Sequence, residues 1–181
     1  MSQLTTEQIL KLLADLSARS VKHASGLPQQ EEVKQAWTGI AFRIGDIRLV
    51  APLGEVIEIL NYPRLTRVPG AKVWVKGVAN VRGNLLPIMD LRGFLGQNAT
   101  RLHRRSRVLV ISHQGIEAGL LIDEVLGLKH FFDEDRASLS APEVEGLAPF
   151  LSDSYRRDSE QWDVFSMRKL AENPAFMKVV A

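Results

Sequence analysis

The sequence predicts a mainly β protein built as two small barrels packed as a pair, with a helix ahead of them. Three observations predict it. From Trp37 onward apolar residues alternate with a period of two. Turn sequences such as Gly45-Asp46, Arg82-Gly83-Asn84 and His113-Gln114-Gly115 interrupt that alternation at short intervals. The whole pattern then occurs a second time. The chain of 181 residues is 45% hydrophobic and 24% charged, a globular composition. A chain of this length buries roughly 70% of its unfolded surface and folds without staples.

The helix comes first. Thr5-Thr6-Glu7-Gln8 offers a capping box, in which the Thr5 hydroxyl satisfies an orphan N–H and Gln8 reaches back. Ile9, Leu12, Leu13 and Leu16 then recur on one helical face, and Ser25-Gly26-Leu27-Pro28 ends the run. Residues 29–36 are polar and read as a link, so residues 1–36 form a helical extension. The expected strands follow: Ile40, Phe42 and Ile44 on one face, a return over 47–51, and a short apolar segment over 54–60. After a loop over 61–72 come strands over 73–81 and 85–89, then a helical turn from Asp90 to Leu95 that stops at Gly96. The basic stretch 97–106 reads as a connection. Strands at 107–112 and 116–122 complete the clear pattern.

The repeat is the most informative feature. At an offset of 69, Ile47 falls on Ile116, Leu53 on Ile122, Glu55 on Glu124, Val56 on Val125 and Gly77 on Gly146. Residues 86–92 resemble 162–168 at an offset of 76, which implies seven extra residues, expected in the polar stretch 152–161. Each half is near 70 residues, marginal alone, and gains from burial against the other. The first barrel is expected at about 37–96 and the second at about 107–170, with strands open to exchange and 171–181 as a tail.

The sequence excludes several chemistries. With no cysteine there is no disulfide, no thiolate zinc site and no cysteine nucleophile. His23, His103, His113 and His130 are scattered without helical i, i+4 spacing, so no metal site is expected. No glycine-rich phosphate loop and no Gly-x-Ser-x-Gly elbow occurs. Glu55, Glu58, Asp123 and Glu124 interrupt apolar runs, but nothing in the sequence aims a pair of them at one substrate. No enzyme and no cofactor is expected. No apolar run reaches the ~20 residues of a membrane span, and the first residues lack the basic leader of a secretory signal. Net charge is +2. Arg101, His103, Arg104, Arg105 and Arg107 form the densest basic run, yet it carries no aromatic for stacking a base. It reads as a solvated connection, with a nucleic-acid or peptide module of SH3-like or OB-like type as the alternative. Arg82, in a tight turn between two apolar strands, is open to two readings: an exposed turn charge, or a guanidinium held toward a partner or an internal carboxylate.

Residues 77–92, Gly-Val-Ala-Asn-Val-Arg-Gly-Asn-Leu-Leu-Pro-Ile-Met-Asp-Leu-Arg, resemble the signature of CheW-type adaptors. The stretches 42–60 and 120–128 also fit, so the resemblance covers about residues 37–170. Among such adaptors the chain is most similar to those of type IV pilus chemosensory systems, which serve twitching motility. The resemblance implies two intertwined five-stranded SH3-like barrels and a non-enzymatic adaptor in the cytoplasm, recruited to receptor arrays at the inner membrane. Its implied partners are the cytoplasmic tip of a methyl-accepting chemoreceptor and the regulatory domain of a CheA-like histidine kinase, with no nucleic acid and no direct membrane insertion. Carried over by position, the partner-binding residues are Val56, Glu58, Gly77, Asn80 and Arg82. The second half departs from the family pattern at 162–170, where Trp162-Asp163-Val164-Phe165 stands for an apolar-Leu-Asp-Leu run.

Overall fold

The computed structural model describes residues 36–139, 141–142 and 144–178. The expected N-terminal helix, most of its link and His23 lie outside the described residues. The strands are β1 (Ala36–Ile44), β2 (Ile47–Pro52), β3 (Glu58–Asn61), β4 (Val75–Val81), β5 (Asn84–Asp90), β6 (Arg107–His113), β7 (Ile116–Ile122), β8 (Glu124–Phe132), β9 (Arg136–Ala137), β10 (Leu151–Arg157) and β11 (Glu160–Phe165). Short helices α1 (Leu91–Phe94), α2 (Met167–Ala171) and α3 (Pro174–Met177) follow strands β5 and β11. α3 falls in the stretch expected as a tail, but its Phe176 is fully buried.

Two sheets form, and each takes strands from both halves of the chain. One runs β8-β1-β2-β11-β10-β9, the other β3-β6-β7-β5-β4. Neither is a contiguous stretch such as 37–96 or 107–170. The exchange rests on four pairings between the halves, β1 with β8 and β3 with β6 antiparallel, β2 with β11 and β5 with β7 parallel. The first sheet has a sixth member beyond the five expected, the two-residue β9.

The duplication holds residue by residue. Glu58 opposite Val110 matches Gly127 opposite Ala41, and Asn61 opposite Arg107 matches His130 opposite Thr38. Ile88 beside Gly119 matches Val164 beside Val50. Asn80 opposite Leu85 matches Arg156 opposite Gln161, an offset of 76 that already holds at β10. The seven extra residues therefore lie between Phe132 and Leu151, not in 152–161. That polar stretch is most of β10, the turn and the first two residues of β11; Ser154 and Tyr155 within it are buried, and most of its other side chains reach water. Gly77 accordingly matches Asp153 and not Gly146.

Three apolar clusters hold the fold. Each sheet curls over its own: Ala41, Val50, Phe131, Tyr155, Trp162 and Val164 in one, Ala79, Leu86, Ile88, Val108, Val110 and Leu121 in the other. A larger central cluster includes Phe42, Leu49, Leu109, Leu120 and Phe165. Hairpins β1–β2 and β6–β7 are thus buried on both faces, which explains near-continuous apolar runs such as Val108-Leu109-Val110-Ile111 and Leu120-Leu121-Ile122. Three hairpin turns have two consecutive left-handed residues, Arg82-Gly83, Gln114-Gly115 and Asp158-Ser159. That geometry matches the twist of the flanking strands.

Candidate functional site

The sequence-predicted residues gather around the β3 and β4 edges of the five-stranded sheet. β3 and β4 end that sheet's strand order, and its curl brings them together. Thr66 bridges to Val78 through two backbone hydrogen bonds of 2.9 and 2.8 Å. Gly77 sits at a bulge in β4 with φ +142, and a Cβ there would stand 2.5 Å from the Thr66 carbonyl oxygen. Only glycine allows the loop after β3 to lie this close.

Arg82 follows β4 at the turn tip with φ 53. Its guanidinium donates to the Glu58 carboxylate at 2.5 Å. The Arg82 side chain is 76% exposed and that of Glu58 29%. The pair therefore ties β3 to the tip of the β4–β5 turn. Asn80 acts on the turn itself, its Oδ1 accepting from the Gly83 N–H at 2.9 Å. The turn position of Arg82 suits Asn or Gly better, and a non-glycine residue there costs about 1 kcal/mol or more.

Val56 differs from its neighbours: it is 9% exposed and belongs to the central cluster. The exposed apolar residues are Ile57 and Ile59, 57% and 41% exposed, on either side of Glu58. Sequence reasoning missed them, although alternation around Glu58 carried the signal. Their counterparts at the offset of 69, Leu126 and Leu128, are exposed as well, so the duplication extends to the surface.

The other carboxylates serve the frame. Glu55 accepts from the Arg168 N–H at 3.2 Å and from Ser166 Oγ at 3.4 Å, holding the start of α2. Glu124 binds Arg43 at 3.0 Å and Arg105 at 3.2 Å. The hydrogen bond from Arg43, and then the nearby charge of Arg105, hold its carboxyl below the usual glutamate range despite some desolvation. Asp123, buried, accepts from the Gly45 N–H at 2.6 Å and fixes the β1–β2 turn. His113 ends β6 instead of standing in a free turn; its Nε2 lies 3.7 Å from Glu172.

This arrangement presents an ion pair flanked by apolar side chains on a sheet edge, suited to binding another surface. Comparisons with known proteins agree with such a role. Residues 38–174 match the family model described as CheW-like domain. The chain is 49% identical over 170 residues to Protein PilI of Pseudomonas aeruginosa, covering 93% of this chain and 94% of that one. It is 36% identical over 113 residues to Chemotaxis protein CheW of Helicobacter pylori, covering 62% of this chain and 68% of the relative. Among solved structures, scaffolding protein TtCheW from Thermoanaerobacter tengcongensis shares the fold with a TM-score of 0.68 at 18% identity, over 78% of this chain and 96% of that one.

Proposed function

The chain belongs to the CheW-like domain family, and on that premise we propose that it is a non-enzymatic adaptor of a chemosensory pathway controlling type IV pilus twitching motility. In this reading it works in the cytoplasm, at receptor arrays of the inner membrane. It joins the cytoplasmic tip of a methyl-accepting chemoreceptor to the regulatory domain of a CheA-like histidine kinase. Signal passes because one rigid body holds both partners in register. A receptor helix lays its apolar face against Ile57 and Ile59, while Glu58 and Arg82 meet polar groups at its rim. Gly77 and Asn80 set the loop and turn that carry Arg82, and Val56 supports β3 from the core side.

The observation that carries this reading is the exposed Glu58–Arg82 pair, made by a left-handed arginine at the tip of the family motif. Arg82→Asn tests it, since asparagine suits the turn but removes the guanidinium. The variant is expected to melt within a few degrees of the parent and to bind a receptor tip at least tenfold more weakly by titration. Unchanged receptor affinity in a folded Arg82→Asn chain overturns the assignment.

A further inference from the structure

Charge is divided unequally along the chain. Residues 59–116 carry ten Lys and Arg and one acid, Asp90, whereas the rest carries 13 Lys and Arg against 20 acids. Asp90 is fully buried and occupied. It accepts from Thr100 N and Oγ1 at 2.8 and 2.7 Å and caps α1, and the Lys76 ammonium stands 4.0 Å away. It also joins the two loops that hold most of these cations: Thr100 belongs to one, and the Asp90 N–H donates to the carbonyl of Trp74, where the other ends. Asn61 lies opposite Arg107 in the β3–β6 pair, so 62–72 leaves the sheet where 97–106 enters it.

The result is a basic face. Arg64, Arg67, Arg101 and Arg104 are exposed and have no acidic partner among the described residues. The same two loops leave Val68, Val73 and Leu102 41%, 90% and 50% exposed. The face begins about 10 Å along β3 from Glu58, at roughly 3.3 Å per residue, so it is not the Glu58–Arg82 surface.

We propose that this face docks an acidic protein surface, one that alternates carboxylates with aliphatic side chains. Gathered like charges repel one another and are relieved by an opposite surface, which also speeds encounter. The free cations are arginines, whose fork fits a carboxylate in two places. The exposed aliphatic residues supply the apolar part of the contact. A single-stranded nucleic acid would use exposed rings, but Tyr62 and Trp74 are half-buried, Trp74 edge-on to Phe94 at 5.5 Å. A lipid surface favours Trp or Tyr anchors at its interface, and the described residues of these two loops expose none. The inference does not depend on the adaptor reading.

The test uses the full chain and four probes: a helical peptide with Glu and Leu on one face, the same peptide with Ser for Leu, single-stranded RNA, and phosphatidylglycerol vesicles. The Glu-Leu peptide is expected to bind best, at least tenfold better than its Ser counterpart. Its affinity should fall at least tenfold between about 50 and 300 mM salt. Reversing Arg64, Arg67, Arg101 and Arg104 to Glu should abolish binding, and Leu102→Ser should narrow the gap between the two peptides. Should the fourfold variant fail to melt cooperatively, the Arg101→Glu, Arg104→Glu pair replaces it, with a loss of at least fivefold expected. Tighter binding of RNA or vesicles, or peptide binding that survives charge reversal in a folded chain, overturns the proposal.

Discussion

Asp90 and Ser166 occupy the same place in the two halves of the chain. Asp90 ends β5 and Ser166 directly follows β11; each caps the helix that comes next, Asp90 accepting from the Gly93 N–H and Ser166 from the Lys169 N–H. Each also donates its own N–H to an aromatic residue's carbonyl, Asp90 to Trp74 at 2.7 Å and Ser166 to Phe150 at 2.8 Å. A shared backbone role has thus survived a change of side chain.

The two positions differ in cost. Ser166→Ala loses a cap, about 1 kcal/mol. Asp90→Ala also strands the Thr100 hydroxyl and N–H in the interior, and is expected to cost about 2–4 kcal/mol in total. Urea unfolding of both variants measures the difference.

Ser159 holds φ 64 at the β10–β11 turn, where the matching residue of the other half is Gly83 at φ 92. Ser159→Gly is expected to stabilise the chain by about 0.5–1 kcal/mol, since the left-handed strain outweighs the added freedom of the unfolded chain. Thermal melting should rise accordingly, and a lowered Tm would contradict the turn assignment.

Gly77→Ala sets a Cβ against the Thr66 carbonyl oxygen, which belongs to backbone and cannot swing away. A loss of about 1–3 kcal/mol is expected from strain and overpacking. Weaker partner binding by this variant then reflects a displaced loop, which hydrogen exchange at Val78 would detect.

Glu124 contributes stability that depends on pH. Its hydrogen bond from Arg43, supported by the charge of Arg105, lowers its pKa in the folded chain. The contribution is therefore full above the ordinary value of 4.5 and is lost as pH falls through the lower folded value. Glu124→Gln should show a flatter decline of Tm below pH 4.5 than the parent. Parallel acid limbs for the two would exclude this role.

The sequence by itself determined the strands from β1 to β7 and their tight turns, the duplication and the residues of the 77–92 motif, because these depend on neighbours along the chain; β8 and the polar β10 were not legible as strands. Period-two alternation marks strands wherever they pair, and Arg82-Gly83 marks a turn without reference to the rest. The Glu58–Arg82 contact was legible only as one of two readings. Val56 enters as a contact residue only by its position in the family motif, and the structure turns it inward and Ile57 outward.

Tertiary structure alone decided which strands share a sheet. The parallel pairs β2–β11 and β5–β7 join residues about 114 and 31 positions apart at their registers, and no local pattern encodes such partners. It also located the seven extra residues before β10, since only matching registers separate an insertion from a coincidence of glycines. Burial settles the sheet membership: β1–β2 and β6–β7 each have two apolar faces to cover, and strands exchanged between the halves cover them.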